Sequence, residues 1–193
     1  MYDEEQLIIA LKEGSELAFK TLVDNFQEKV LNTCLGFVPN LHDAEDVVQE
    51  VFVEVYRSID KFRAEARLST WIYRIAVSKS LEYIRHRKRK KRMAFFQSLI
   101  GLEDQRSAAV ADPVNHPGLQ IENKERGEVI FRAIGQLADN QRIAFVLNKV
   151  EGLSYQEVAE VMDLSLSSIE SLLHRARKNL QKKLHDFYKK EMQ

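Results

Sequence analysis

Cysteine is almost missing from this chain: Cys34 is the single one among 193 residues. One thiol closes no internal disulfide and cannot build a cysteine-based zinc site. Glycine (7) and proline (3) are also scarce, and where breakers are few, helices are favoured. No apolar run approaches the roughly 20 residues needed to cross a bilayer. The opening Met1-Tyr2-Asp3-Glu4-Glu5 lacks the basic start and apolar middle of a signal peptide. A cytoplasmic location without membrane contact is the expectation. No Gly-rich phosphate loop, metal-ligand spacing or motif around a nucleophile is present, and His42, His86, His116, His174 and His185 are scattered. Neither an enzyme nor a metal or cofactor is expected. No alternating stretch is long enough for a sheet.

What remains is a folded, charged, helical chain. Apolar residues make up 45% and charged residues 30%, the proportions of a globular protein rather than a disordered one. The formal net charge is zero, but the charges are sorted. Asp43, Glu45, Asp46, Glu50 and Glu54 crowd one segment. Arg85, Arg87, Lys88, Arg89, Lys90, Lys91 and Arg92 crowd another, and Arg175, Arg177, Lys178, Lys182 and Lys183 a third. A nucleic-acid binder needs local positive charge, not a global excess. An acidic face and two basic ones point to different partners for different surfaces.

Apolar spacing gives the organisation. Ala18, Leu22, Phe26 and Val30 form one helical stripe, and Val47, Val48, Val51, Phe52 and Val55 the next. Gly36, Pro39 and Asn40 break the chain between them. Ser69 to Arg85 reads as a third helix. From Gly101 to Gly118 the periodicity fades around Asp112-Pro113 and His116-Pro117-Gly118, which reads as a linker. Helical pattern resumes with Val129, Ile130, Ala133, Ile134 and Leu137. After a polar turn at Ala138-Asp139-Asn140 it continues through Ile143, Ala144, Val146 and Leu147. The fold class expected is all-α: an N-terminal helix bundle over 1–100, a flexible linker over 101–124 and a C-terminal helix-turn-helix bundle over 125–193.

The sharpest local signal lies between Gly152 and Leu184. Ser154 followed by Glu157 is a capping box, in which each side chain satisfies the other's free backbone N–H. The helix it starts points Val158, Ala159 and Met162 inward, and Asp163-Leu164-Ser165 makes a turn. A second, basic helix follows on Ile169, Leu172, Leu173 and Ala176. Two short helices with a tight turn fit a DNA-binding motif; the alternative is a hairpin with a solvated basic face. The outward positions are Ser167, Ser168, Glu170, Ser171, His174, Arg175 and Lys178. Short polar groups approach base edges, while arginines and lysines hold phosphates. Glu170 has two readings: an acceptor for cytosine N4, or the closing member of a capping box with Ser167.

In the N-terminal half, Asp46, Gln49 and Glu50 share one helical face, which suits either a basic protein partner or solvent. Next, Arg63, Arg67 and Arg74 surround Trp71 and Tyr73. Arginines interleaved with aromatics suit single-stranded DNA, because bases stack while phosphates are neutralised. Trp71 alone also fits a core position, and Ser69 a helix N-cap. The basic run from Arg85 is either a phosphate contact or a solvated tail.

Three blocks stand in order: Asp43 to Phe52, Leu68 to Ala76, and Gly152 to Ala159 continuing through His174-Arg175-Ala176-Arg177. Together they resemble the extracytoplasmic-function sigma factors of bacterial RNA polymerase, from about residue 5 to residue 185. The resemblance implies that Asp46, Gln49 and Glu50 contact the clamp helices of core RNA polymerase. It implies that Arg63, Arg67, Ser69, Thr70, Trp71, Tyr73 and Arg74 open and read the minus-ten element, with a flipped base held in the loop. Arg85, Arg87, Lys88 and Arg89 would hold phosphates. Ser167, Ser168, Glu170, Ser171, His174, Arg175 and Lys178 would read the minus-thirty-five element. The linker, with Glu103, Asp104 and Asp112, would run through the polymerase. Promoter DNA and core RNA polymerase are the implied partners, together with a masking anti-sigma factor, and the free chain is expected to be a monomer. Rival readings are a regulator that binds duplex DNA alone and a helical adaptor that only docks proteins.

Overall fold

The computed structural model describes residues 3–38, 40–99 and 129–191, and among these every regular element is helical. The N-terminal half holds α1 (Glu4–Lys12), α2 (Glu16–Leu35), α3 (Leu41–Ser58), a single 3-10 turn (Ile59–Lys61) and α4 (Leu68–Leu99). The C-terminal half holds α5 (129–135), α6 (Asp139–Phe145), a π-helical turn (Val146–Val150), α7 (Tyr155–Met162) and α8 (Leu166–Glu191). The expected linker, with Glu103, Asp104 and Asp112, lies outside the described residues.

Caps explain most of the boundaries. Asp3 accepts from the Gln6 N–H at 2.7 Å, and the Gln6 side chain accepts in return from the Asp3 N–H. This capping box starts α1, a helix that the apolar spacing did not announce. Ser15 caps α2 through the Ala18 N–H, and Asn40 caps α3 through the Asp43 N–H at 2.9 Å. The helix expected over Ser69 to Arg85 is longer at both ends. It begins at Leu68, so Ser69 sits inside the first turn and is not its N-cap. The Leu68 N–H instead donates to Glu4 Oε1 at 2.9 Å, so α1 caps α4 from a distance in sequence. At the other end the basic run continues the helix rather than leaving it as a tail. Lysine and arginine are good helix formers, and no breaker intervenes before Gly101. The polar turn expected at Ala138-Asp139-Asn140 is also shorter, because Asp139 and Asn140 already belong to α6.

The N-terminal core stacks Val30, Cys34, Val47, Val51, Val55, Ile72 and Ala76, all essentially solvent-free. The C-terminal core gathers Ile134, Leu137, Ile143, Val158, Ile169, Leu173 and Ala176. Each fully buried Leu, Ile or Val adds about 1.5–3 kcal/mol of hydrophobic stabilisation before entropy is counted. The two halves are in contact: α4 lies against α7, and α2 against the π turn. At that seam Arg142 is buried, and its guanidinium donates to the carbonyls of Gly36 (3.0 Å) and Phe37 (2.6 Å). These are carbonyls at the C-terminal end of α2, which has no basic residue of its own in its last turn. A cation from the other half therefore satisfies them. Burial lowers the Arg142 pKa to about 10, with Asp139 acting in the opposite direction.

Candidate nucleic-acid interface

α7 and α8 build the expected helix-turn-helix, although α8, at 26 residues, is not the short helix expected. The Ser154 hydroxyl accepts from the Glu157 N–H at 3.3 Å, and Glu157 Oε2 accepts from the Ser154 N–H at 2.8 Å. The Ser154 hydroxyl also donates to Glu157 Oε2 at 2.8 Å, and the backbone N–H first and this hydroxyl second hold the Glu157 carboxylate below its usual range. The turn is set by Asp163, which takes the left-handed region at φ 53°. A short polar side chain tolerates that region better than a branched one does. α8 then starts one residue after Ser165, whose hydroxyl accepts from the Ser168 N–H at 3.3 Å. Ser165 is thus the cap, and the capping-box reading of Glu170 with Ser167 does not hold.

Glu170 stands exposed on the second turn of α8. With Ser171, His174 and Arg175 it lines one shallow depression of the surface. Ser167 and Lys178 are exposed on the same helix, while Ser168 is half-buried and tied to Ser165 at 2.8 Å. Arg175 is braced by donating from Nε to the Ser171 carbonyl at 3.1 Å. Behind this row Ile169, Leu172, Leu173 and Ala176 are buried. The helix is therefore fixed by one face and presents the other.

On α3, Asp46, Gln49 and Glu50 are all exposed and edge a groove with Val53, Glu54, Arg57 and Lys79. Val53 and the neighbouring Tyr56 expose 47% and 60% of their surface, so the acidic edge borders an apolar one. Charged rim beside exposed aromatic and aliphatic groups is the make-up of a protein-binding surface.

The loop before α4 is held by α1 twice. Glu4 caps Leu68, and Lys12 Nζ donates to the Phe62 carbonyl at 2.8 Å. Within the loop Ala64 adopts φ 56°, unusual for a residue with a Cβ. Arg63 and Arg67 are exposed. Trp71 is half-buried, its ring 5.0 Å from that of Phe62. Thr70 and Tyr73 are buried, at 3% and 6% exposure. Arg85, Lys88 and Arg89 are exposed along α4, whereas Arg87 is half-buried and paired with Asp43 at 3.1 Å.

Three of these side chains also contact the C-terminal half, Tyr73 from a buried position and Arg67 and Arg74 from exposed ones. The Tyr73 hydroxyl donates to Glu151 Oε2 at 3.2 Å. Burial and the Glu151 carboxylate push that hydroxyl above its ordinary range. Burial in turn raises the Glu151 pKa to about 7. Arg74 donates to the carbonyls of Glu160 (2.6 Å) and Val161 (3.3 Å), and Arg67 lies 3.7 Å from Glu157. Sequence reasoning passed over Arg142 and Glu151, because nothing local to either residue signals a partner more than seventy positions away. Among the described residues no group of His, Cys, Asp and Glu could hold a metal, and no helix is long and apolar enough to cross a membrane.

Comparison with known proteins places this geometry in a family. A family model of Sigma-70 region 2 matches residues 22–90, and one of Sigma-70 region 4 matches residues 128–180. The ECF RNA polymerase sigma-E factor of Escherichia coli is 32% identical over 181 residues, 94% of both chains. The factor of the same name from Haemophilus influenzae is 32% identical over 184 residues, 94% of this chain and 95% of the other. Among solved structures, CnrH in complex with the cytosolic domain of CnrY superposes with a TM-score of 0.67 at 23% identity, covering 95% and 97% of the two chains. The sigma factor RpoE of Bartonella quintana, bound to the anti-sigma factor NepR, gives 0.61 at 22% identity over 86% and 96%. At those identities the superpositions speak for the fold alone.

Proposed function

The chain belongs to the extracytoplasmic-function sigma factors, and from that premise we propose a division of labour among its surfaces. The protein binds core RNA polymerase and directs promoter-specific initiation. The N-terminal half reads the minus-ten element and the C-terminal half the minus-thirty-five element. What carries the assignment is that region 2 and region 4 match in order on one chain that aligns over 94% of its length with a curated sigma factor. Phosphodiester chemistry is left to the polymerase, and the chain itself adds no catalytic step. It works where the polymerase works, in the cytoplasm.

Residue by residue, Asp46, Gln49 and Glu50 dock on the polymerase through the exposed edge of α3. Arg63, Arg67, Ser69 and Trp71, with Thr70, Tyr73 and Arg74 behind them, form the minus-ten reader. Capturing an unpaired base offsets the few kcal/mol that unpairing costs. Arg85, Lys88 and Arg89 follow the phosphates along α4, and Arg87 joins them on release from Asp43. Glu170, Ser171 and His174 read base edges in the upstream major groove, Ser167 and Ser168 support them at the helix start, and Arg175 and Lys178 hold phosphates. The working division is 1–100 for polymerase and minus-ten binding, 101–124 for the linker and 125–193 for minus-thirty-five binding. An anti-sigma protein, of the kind that accompanies the solved relatives, masks these same surfaces.

Run-off transcription on genomic fragments, with purified core polymerase and mapped 5′ ends, tests this reading. Discrete new starts sharing an upstream motif are expected when the protein is added. Polymerase binding without new starts would leave an adaptor. Tight duplex binding without polymerase would favour a stand-alone regulator.

A further inference from the structure

The shortest α-helix of the N-terminal half, α1, grips the loop assigned to the minus-ten element at both ends. Leu68 opens α4, so its N–H has no acceptor within that helix. Leu68 is also 1% exposed, which gives water little access to that N–H. Glu4 Oε1, in the first turn of α1, accepts it at 2.9 Å. In the last turn of α1, Lys12 Nζ donates to the Phe62 carbonyl at 2.8 Å, where the loop begins. From Glu4 to Lys12 the helix rises about 12 Å, so α1 is a rigid spacer between two anchors. Leu7 and Leu11, each 6% exposed, dock it on the bundle independently of the two tethers.

Between the anchors the backbone is not relaxed. Ala64 holds φ 56°, a region that a residue with a Cβ keeps only where its surroundings impose it. Glu4 and Ile8 also line, from the α1 side, the same depression that Ala64, Ala66 and Arg67 line from the loop side. We propose that α1 is a clasp that sets the shape of the minus-ten loop, with Glu4 and Lys12 as positioning residues for capture of an unpaired base. The proposal rests on the minus-ten assignment of Arg63 to Arg74. Neither tether has to touch DNA. Each is a charged side chain on a backbone group, and such hydrogen bonds are shorter and stronger than neutral ones. What they fix is the path of residues 63–67, and a loosely held pocket discriminates poorly between ligands.

The test uses holoenzyme assembled with each variant. The probes are single-stranded oligonucleotides carrying the non-template minus-ten sequence of a start site mapped by run-off transcription, with each base replaced in turn. Wild-type holoenzyme should lose at least about tenfold in affinity at one position or more. In Glu4→Ala and in Lys12→Ala that discrimination should shrink by about three- to tenfold, the worth of one such hydrogen bond. Both side chains are exposed, so helicity and binding to core polymerase should stay as in the wild type, and the two variants report independently. Glu4→Gln, whose amide oxygen still accepts the Leu68 N–H, should recover most of the discrimination. Lys12→Arg, still a donor, should do the same.

Wild-type discrimination in either alanine variant would overturn the proposal. So would weaker binding to every strand alike, which is general loosening without a positioning role. A Glu4→Gln holoenzyme no better than Glu4→Ala would overturn it too. A wild-type holoenzyme indifferent to every minus-ten base would sink the minus-ten assignment and the clasp with it. A discriminating wild type with unmoved variants would sink the clasp alone.

Discussion

Replacing Leu173 by alanine should unfold the helix-turn-helix while leaving the N-terminal bundle standing. Leu173 is 1% exposed in the first third of α8, on one stripe with Ile169 and Ala176. The change removes three carbon atoms, about 0.8 kcal/mol each in transfer, and leaves a cavity, so a loss of about 3–5 kcal/mol is expected. A bundle of about sixty residues has only about 3–9 kcal/mol in total. The loss therefore consumes most of the smaller half's stability. Trp71, the single tryptophan, lies in the other half, so its fluorescence reports the N-terminal bundle while far-ultraviolet circular dichroism reports both. In urea the variant should show an early circular-dichroism transition, with the fluorescence midpoint nearly unmoved. If the fluorescence midpoint dropped as far as the early transition, the chain would be one cooperative unit, and the proposed division at 101–124 would have to be given up.

Reversing charge with Asp46→Lys and Glu50→Lys should weaken binding to core polymerase by about tenfold or more without changing helicity, since both carboxylates are exposed; unchanged affinity in a pull-down titration would remove α3 from that interface. Arg175→Ala should reduce transcription from promoters that depend on upstream contacts by about tenfold, and equal output from every promoter would remove the assignment. Closure of the two halves should weaken as pH rises. Glu151 has a pKa near 7 when closed, against an ordinary 4.5, because burial outweighs the hydrogen bond from Tyr73 and the nearby Lys29; Glu28 adds to the rise, and Cys34 on α2 also lies within its field. Below about 4.5 both states hold the proton, between about 4.5 and 7 opening releases it, and above about 7 the full cost of burying the carboxylate is present. Scattering across that window should show expansion with rising pH, and Glu151→Gln should abolish it.

Much of the fold was legible because its causes are local. The cap at Ser154 acts within three residues, and the stripe Ile169, Leu172, Leu173 and Ala176 repeats at helical spacing whatever surrounds it. Two of the errors were also local in origin, and one came from a contact distant in sequence. α1 escaped notice because its apolar stripe is short, although Asp3 and Gln6 carry its capping signature. The start of α4 was misplaced by one residue because its first N–H is satisfied by Glu4, more than sixty positions earlier. The reading of Glu170 as a cap partner failed because Ser165, two residues before Ser167, takes the cap and sets the helix register.

What local rules could not supply is the choice of partner. An arginine suited to a phosphate is equally suited to a helix end, since both offer oxygen acceptors to the same planar set of donors. Arg74 and Arg142 are alike in type; in this structure both cap helices across the seam, yet only the first falls in a block that resembles a DNA reader. Residue type thus assigns a valence, and geometry assigns its present occupant. The same holds for the aromatics: Trp71 was open to a core or a stacking role, and it is half-buried with its ring 5.0 Å from that of Phe62. In this structure the Arg74 guanidinium and the Tyr73 hydroxyl are satisfied by two carbonyls and a carboxylate of the same chain.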